Sequence, residues 1–264
     1  MAKAKKKEST LTLEERLAQA LVPESEQPYK VPKNWCWTRL NFVGEYKKGP
    51  FGSAITKAMF VTKSDDTYKV YEQGNAIKKT IKYGEYYITE DKYKELKGFE
   101  VRPSDFIVSC AGTVGETYQI PIGAERGIIN QALMRIRLSE IVCDDFYLNY
   151  FDDILRQDVT GKSKGTVMKN IPPFAVLKSF PFPLPPLAEQ QRIVERIEGL
   201  FAKLDEAKEK LQEVLDGSSS KKVDSVLGKI DLMKKAILVR AFRGELGTND
   251  ENDECAVELL KRVL

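Results

Sequence analysis

The chain has 264 residues, 42% hydrophobic and 31% charged, with a formal net charge of +3. That length holds one sizeable core with an appendage or two small domains, and the composition is that of a folded chain rather than a disordered one. There is no histidine, which removes Ser-His and Cys-His nucleophile pairs and every His-ligated metal site. No two of the cysteines Cys36, Cys110, Cys143 and Cys255 stand at Cys-x-x-Cys spacing. Neither a zinc site nor a disulfide framework is therefore expected, and no cofactor is predicted. No stretch nears the roughly 18 apolar residues of a membrane span. The lysine run Met1–Glu8 lacks the apolar region of a secretory signal. The expectation is a cytoplasmic chain with no membrane partner, and the lysine run reads as a solvated tail.

Residues 9–22 read as a short helix. Thr12 and Glu15 stand at capping-box spacing, Leu13, Leu17, Ala20 and Leu21 share a face, and Pro23 and Pro28 end it. Residues 29–183 read as one mixed, strand-rich domain of about 150 residues. Its strand runs are Tyr68–Tyr71, Tyr86–Thr89, Asp105–Cys110, Gly127–Asn130 and the alternating Leu133–Leu138, with brief helices over Glu90–Lys97 and Phe146–Arg156.

Three stretches of this domain imitate catalytic motifs. Asp91, Glu95 and Lys97 copy the spacing of a metal-dependent nuclease. They fall on one predicted helix, however, where a nuclease would hold Mg²⁺ from adjoining strands. Gly112-Thr-Val-Gly115 lacks the Lys-Ser/Thr of a phosphate loop and reads as a hairpin turn. Asn170-Ile-Pro-Pro-Phe174 carries one isoleucine too many for the Asn-Pro-Pro-Phe signature of adenine methyltransferases, and it reads as a turn entering a buried element.

Phe180-Pro-Phe-Pro-Leu-Pro-Pro186 reads as an extended, stiff linker. A long helix follows over residues 187–216. Ile193, Ile197, Leu200, Leu204, Ala207, Leu211 and Val214 alternate four and three apart, an a/d seam. Asp216-Gly-Ser-Ser-Ser220 interrupts it. A second seam runs through Val223, Val226, Ile230, Met233 and Ile237 and ends near Arg243-Gly244, where the glycine suits a C-cap. Residues 247–254 are polar and 255–264 read as a short amphipathic helix. The two seams fit a hairpin within one chain or a pairing between copies.

The expected fold class is thus α+β. A tail and short helix (1–28) precede the mixed domain (29–183), a helical coiled-coil region (184–246) and a C-terminal tail and helix (247–264). Basic and polar residues cluster in predicted loops of the mixed domain: Lys47, Lys48, Ser53, Lys57, Lys63, Lys78, Lys79, Lys82, Tyr83, Lys162, Ser163 and Lys164. Lys and Ser in loops position phosphates, and Tyr can read base edges. These are the candidate DNA-binding residues. Ile193, Ile197, Leu200, Leu204, Leu211, Val214, Val226, Ile230, Met233 and Ile237 are the candidate dimer residues. No catalytic or metal residue is nominated.

The block Leu184-Pro-Pro-Leu-Ala-Glu-Gln-Gln-Arg-Ile-Val194, its heptads, and Ala241-Phe-Arg-Gly-Glu-Leu246 resemble the conserved region of type I restriction-modification specificity subunits. Val31-Pro-Lys-Asn-Trp-Cys-Trp37 resembles the opening of their target recognition domain. Val101–Gly115, Ile129-Asn-Gln131 and Gly165–Ile171 resemble its framework. The family carries two recognition domains and two helical regions, so one of each makes this chain similar to a half-length form. The resemblance implies a non-catalytic subunit. Its implied partners are double-stranded DNA, DNA methyltransferase (modification) subunits, a restriction/translocase subunit and a second copy of itself. Two other classes fit the same residues: a coiled-coil scaffold or truncated remnant that binds no DNA, and an independent enzyme. The missing histidine and the lack of paired catalytic carboxylates count against the last.

Overall fold

The computed structural model describes residues 11–157, 173–215 and 220–264. Along them run α1 (Leu13–Ala20), β1 (Cys36–Arg39), α2 (Leu40–Val43), β2 (Gly44–Lys48), β3 (Thr67–Tyr71), α3 (Gln73–Ile77), β4 (Tyr87–Thr89), α4 (Glu90–Glu95), β5 (Glu100–Val101), β6 (Phe106–Ser109), β7 (Thr117–Gln119), β8 (Gly127–Ile129), β9 (Leu133–Leu138), α5 (Asp144–Gln157), α6 (Phe174–Ser179), β10 (Pro181–Leu184), α7 (Leu187–Leu215), α8 (Ser220–Phe242) and α9 (Ala256–Lys261). The class is α+β, with a long helical region after a strand-rich one. Backbone packing divides the chain into two units. One comprises Met1–Phe42, Ile141–Phe146 and Pro181–Leu264; the other comprises Val43–Glu140 and Tyr147–Phe180.

The second unit holds two four-stranded sheets, in the orders β2-β9-β6-β7 and β4-β3-β8-β5. The first is antiparallel, with Lys48 facing Met134, Gly44 facing Leu138, and Ser109 facing Leu133. Side chains alternate across a strand, so Tyr46, Phe106, Val108 and Ile136 share one face. There the Tyr46 and Tyr147 hydroxyls meet at 2.7 Å. Ile107 and Leu133 point the other way and join Tyr71, Ala76, Val101, Ile120 and Ile129 in one core. Beyond the second sheet lies another core, of Ile55, Val70, Ile88, Tyr93, Leu96 and Ile128. Tyr71 and Val70, like Ile129 and Ile128, thus serve opposite sides of parallel neighbours β3 and β8.

Further along β9 the inner face is ionic. Buried Arg135 donates to the Glu100 carbonyl and the Glu45 carboxylate, each at 2.6 Å, and Arg137 grips Asp105 with two bonds of 2.7 Å. The β6–β7 turn is the expected hairpin, with Gly112 and Gly115 at positive φ.

In the first unit, β1 and β10 form a two-stranded antiparallel ribbon that sets Trp37 opposite Pro183. This corrects the expectation of a linker over the proline run. Both strands of such a ribbon are edges, and an edge position tolerates proline's missing N–H donor. The ribbon's Phe182 and Leu184 are buried, and Phe146 stands edge-on to both Phe182 and Phe242. Helices α7 and α8 pack on each other within the chain, with an Asp205–Lys234 ion pair at 2.7 Å and Lys234 over the Phe201 ring. The predicted capping box closes α1: the Glu15 N–H donates to Thr12 Oγ1, and the Thr12 N–H to the Glu15 carboxylate. Gly244, at φ 72°, ends α8 as a C-cap, and the Glu245 N–H returns to the Arg240 carbonyl. Helix α9 packs on α1, and the Ala256 N–H donates to Asn34 at 2.9 Å.

Candidate nucleic-acid interface

One end of the second unit brings together two of the candidate residues, Lys48 and Lys79. It is the end where β2 finishes and β9 begins. Lys48 closes β2 there and is exposed. The Gly49 N–H donates to the Leu133 carbonyl at 2.9 Å. A Cβ on Gly49 would fall 1.8 Å from the Asn130 carbonyl oxygen, so only glycine fits. The β6–β7 turn reaches the same end, where the Cys110 N–H donates to Ala132. Gln73, at the start of α3, donates to the Ala111 carbonyl. Lys79 reaches the Glu116 carboxylate at 2.8 Å and the Thr117 carbonyl at 2.6 Å. Burial pushes the Cys110 thiol up to about 11, against the opposing charge of Lys48.

The other candidates are placed differently. Lys78 lies over the Tyr83 ring, which packs against Gly74. Lys82, Ser53 and Lys57 are exposed, the last two in short turns after β2. Lys47 is half-buried, lying over the Phe99 ring, while Lys48 at the strand's end is exposed. Lys63 stands apart, paired with Glu125 at 2.7 Å; hydrogen bonds to Glu125 and Tyr87 hold it above the ordinary lysine range. Lys162, Ser163 and Lys164 lie outside the described residues.

Sequence reasoning did not nominate Gln73, Asn130 or Arg126. The Arg126 guanidinium caps the stacked pair Tyr68–Tyr93. The tertiary fold sets Gln73 and Asn130 at one end of the β3–β8 pair and Arg126 at the other.

The helical seam is mixed in its exposure. Ile193, Ile197 and Ile230 are buried. Leu200, Leu204, Met233 and Ile237 line a groove of about 380 Å³ between α7 and α8. Leu211 and Met233 are exposed, as are Leu232 and Val239 outside the predicted seam. The side chains of Val214 and Val226 lie outside the described ones.

The Glu-Gln-Gln-Arg block at the start of α7 is a clasp. Fully buried Glu189 accepts from Trp35 Nε1 at 2.6 Å, Asn249 Nδ2 at 2.8 Å and the Thr248 hydroxyl at 3.3 Å. Gln190 accepts from the Cys143 N–H and donates to the Ile141 and Pro185 carbonyls. Arg192 donates to the Thr248 carbonyl and pairs with Asp253. Among the described residues no group of His, Cys, Asp and Glu is arranged to hold a metal, and no helix is long and apolar enough to cross a membrane.

A family model described as the type I restriction modification DNA specificity domain matches residues 32–216. The specificity subunit of the type I restriction enzyme EcoBI from Escherichia coli is 30% identical over 157 residues, which are 58% of this chain and 30% of that one. The EcoAI specificity subunit from the same species is 24% identical over 281 residues, covering 92% of this chain and 46% of that one. The chain spans less than half the length of either relative. Among solved structures, the HsdS subunit from Thermoanaerobacter tengcongensis is similar at 18% identity and a TM-score of 0.45, over 88% of this chain and 50% of that one.

Proposed function

The chain belongs to the type I restriction-modification DNA specificity family, and from that membership we propose that it reads DNA sequence for a larger methylating and restricting assembly. The family match over residues 32–216, which takes in the whole of the second unit and part of the first, carries this reading. The second unit is the reader. Its end with Lys48, Gln73, Lys79 and the β6–β7 turn offers cations for phosphates and an amide for a base edge. The chain performs no chemistry itself: modification subunits transfer the methyl group, and a restriction/translocase subunit cuts.

A half-length reader serves a bipartite site by pairing with a second copy. The groove of Leu200, Leu204, Met233 and Ile237, with Leu232 65% and Met233 52% exposed beside it, supports that pairing. Covering such side chains is worth about 1.5–3 kcal/mol each before entropy costs. A two-fold pair presents two identical readers, which select inverted-repeat half-sites around an unread spacer. The test is the methylome of cells with and without this chain, alongside co-purification with modification subunits. Loss of adenine methylation at one bipartite inverted repeat is the expected result. An unchanged methylome despite well-folded chain would sink the reading in favour of a scaffold or remnant.

A further inference from the structure

The loop after β2 holds one aromatic ring out in water. Phe51 is 89% exposed, although rings of this kind usually bury most of their area. The loop is pinned on both sides of it. Before it, Gly49 is bonded to Leu133 and wedged against Asn130, and Pro50 is buried. After it, the Ala54 N–H donates to the Phe51 carbonyl at 2.8 Å, and Ile55 is buried in the core. The ring is therefore presented by a fixed backbone and does not hang from a slack one. Gly52 beside it has nothing within 4 Å of where a Cβ would stand, which leaves the backbone there open to close approach. Lys48 is three residues away, at the same end of the sheet as Gln73 and Lys79.

Exposure alone does not single out Phe51, since Ile122 is 92% exposed. Strand β7 runs away from the lysine end, however, pairing Thr117 with Val108 and Gln119 with Phe106. Ile122 follows it and stands at the opposite end of the sheet. Ile77, on α3 beside Lys78 and Lys79, is only 36% exposed, so Phe51 is by far the most exposed large apolar side chain, among the described residues, near Lys48 and Gln73.

We propose that Phe51 is a wedge that stacks between base pairs of the bound duplex beside the phosphates held by Lys48. The proposal rests on the DNA-reading role above and assigns one contact within it. Apolar side chains inserted at a base step unstack it and kink the duplex, and an aromatic ring stacks on any base. A ring fixed in place before binding loses little freedom on insertion. The wedge would favour half-sites containing an easily unstacked step, such as TA or CA.

The test starts from a randomised duplex pool selected by the purified full chain. The recovered duplex is then remade with 2-aminopurine at successive positions. Wild-type binding should brighten the probe at one step in each half-site. Phe51→Ala should abolish that signal and weaken binding about 5- to 100-fold. Phe51→Trp should keep both signal and affinity, and Ile122→Ala should change neither. Phe51→Ala with unaltered signal and affinity overturns the wedge, as does a wild-type complex that brightens no position. A wild-type chain that selects no duplex removes the DNA reading itself, and the wedge with it.

Discussion

Glu100 lies in an ionic cluster that no local pattern announces. Lys97, Tyr93 and Arg102 donate to its carboxylate, and Arg135 to its backbone carbonyl. Burial alone would raise its pKa, but those donors outweigh burial and hold it down at about 2. A carboxylate with a depressed folded pKa contributes stability above its unfolded value, about 4.3, and loses it as pH falls toward 2. Urea midpoints should therefore fall between about pH 4.5 and 2. Glu100→Gln should flatten that fall and cost roughly 2–3 kcal/mol at pH 7. An acid limb unchanged by the substitution would place the titration elsewhere. Lys48 makes a contrasting case, exposed and with no ion pair among the described residues. Lys48→Ala should weaken duplex binding on every sequence alike and lower the salt slope by about 1. A selective loss on one sequence would make it a base reader instead. In the sequence these two residues are simply charges among many. The Arg135–Glu100 contact spans 35 positions, and what separates Lys47 from Lys48 is the distant Phe99 ring that covers the first.

Elements were more legible than their pairings. The run Leu133–Leu138 and those at 68–71, 86–89 and 105–110 each became a strand within a residue or two, because short β-branched and aromatic runs bounded by turn residues are written locally. Heptads marked α7 and α8 for the same reason. The same seam serves a hairpin or a dimer, so only the structure shows α7 and α8 packed within one chain. The proline run misled because the tolerance of an edge strand for proline depends on how many partners flank it, which is a tertiary property. The Glu-Gln-Gln-Arg block was the most specific feature in the chain, yet its physical role is assembly: Glu189 ties Trp35 to Thr248 and Asn249. Glu189→Ala should leave the Trp35 N–H buried without an acceptor and cost about 1–3 kcal/mol. It should also open the 247–254 segment to protease well below the global melting temperature. A tail as resistant as the wild type's would mean that the packing of α9 on α1, not the clasp, holds it.

In the proposed dimer, the decisive quantity is the length of the helical arm. The 29 residues of α7 extend about 44 Å at 1.5 Å per residue. That exceeds one DNA turn of roughly 34–36 Å, so two copies joined along their arms can serve half-sites more than a turn apart. In such a dimer the arm is a ruler, and the spacer between half-sites follows from helix length rather than from any base contact. Removing one heptad from α7 and the facing heptad from α8 keeps the apolar seam in phase and shortens the arm by about 10 Å. At 3.4 Å per base pair that is about 3 base pairs. Methylome sequencing of cells carrying the shortened chain should show the same two half-sites with a spacer about 3 base pairs shorter. The unchanged half-sites matter as much as the changed spacer, because they show that the readers have kept their fold. Methylation that persists at the original spacing would mean that something other than the arm sets the distance.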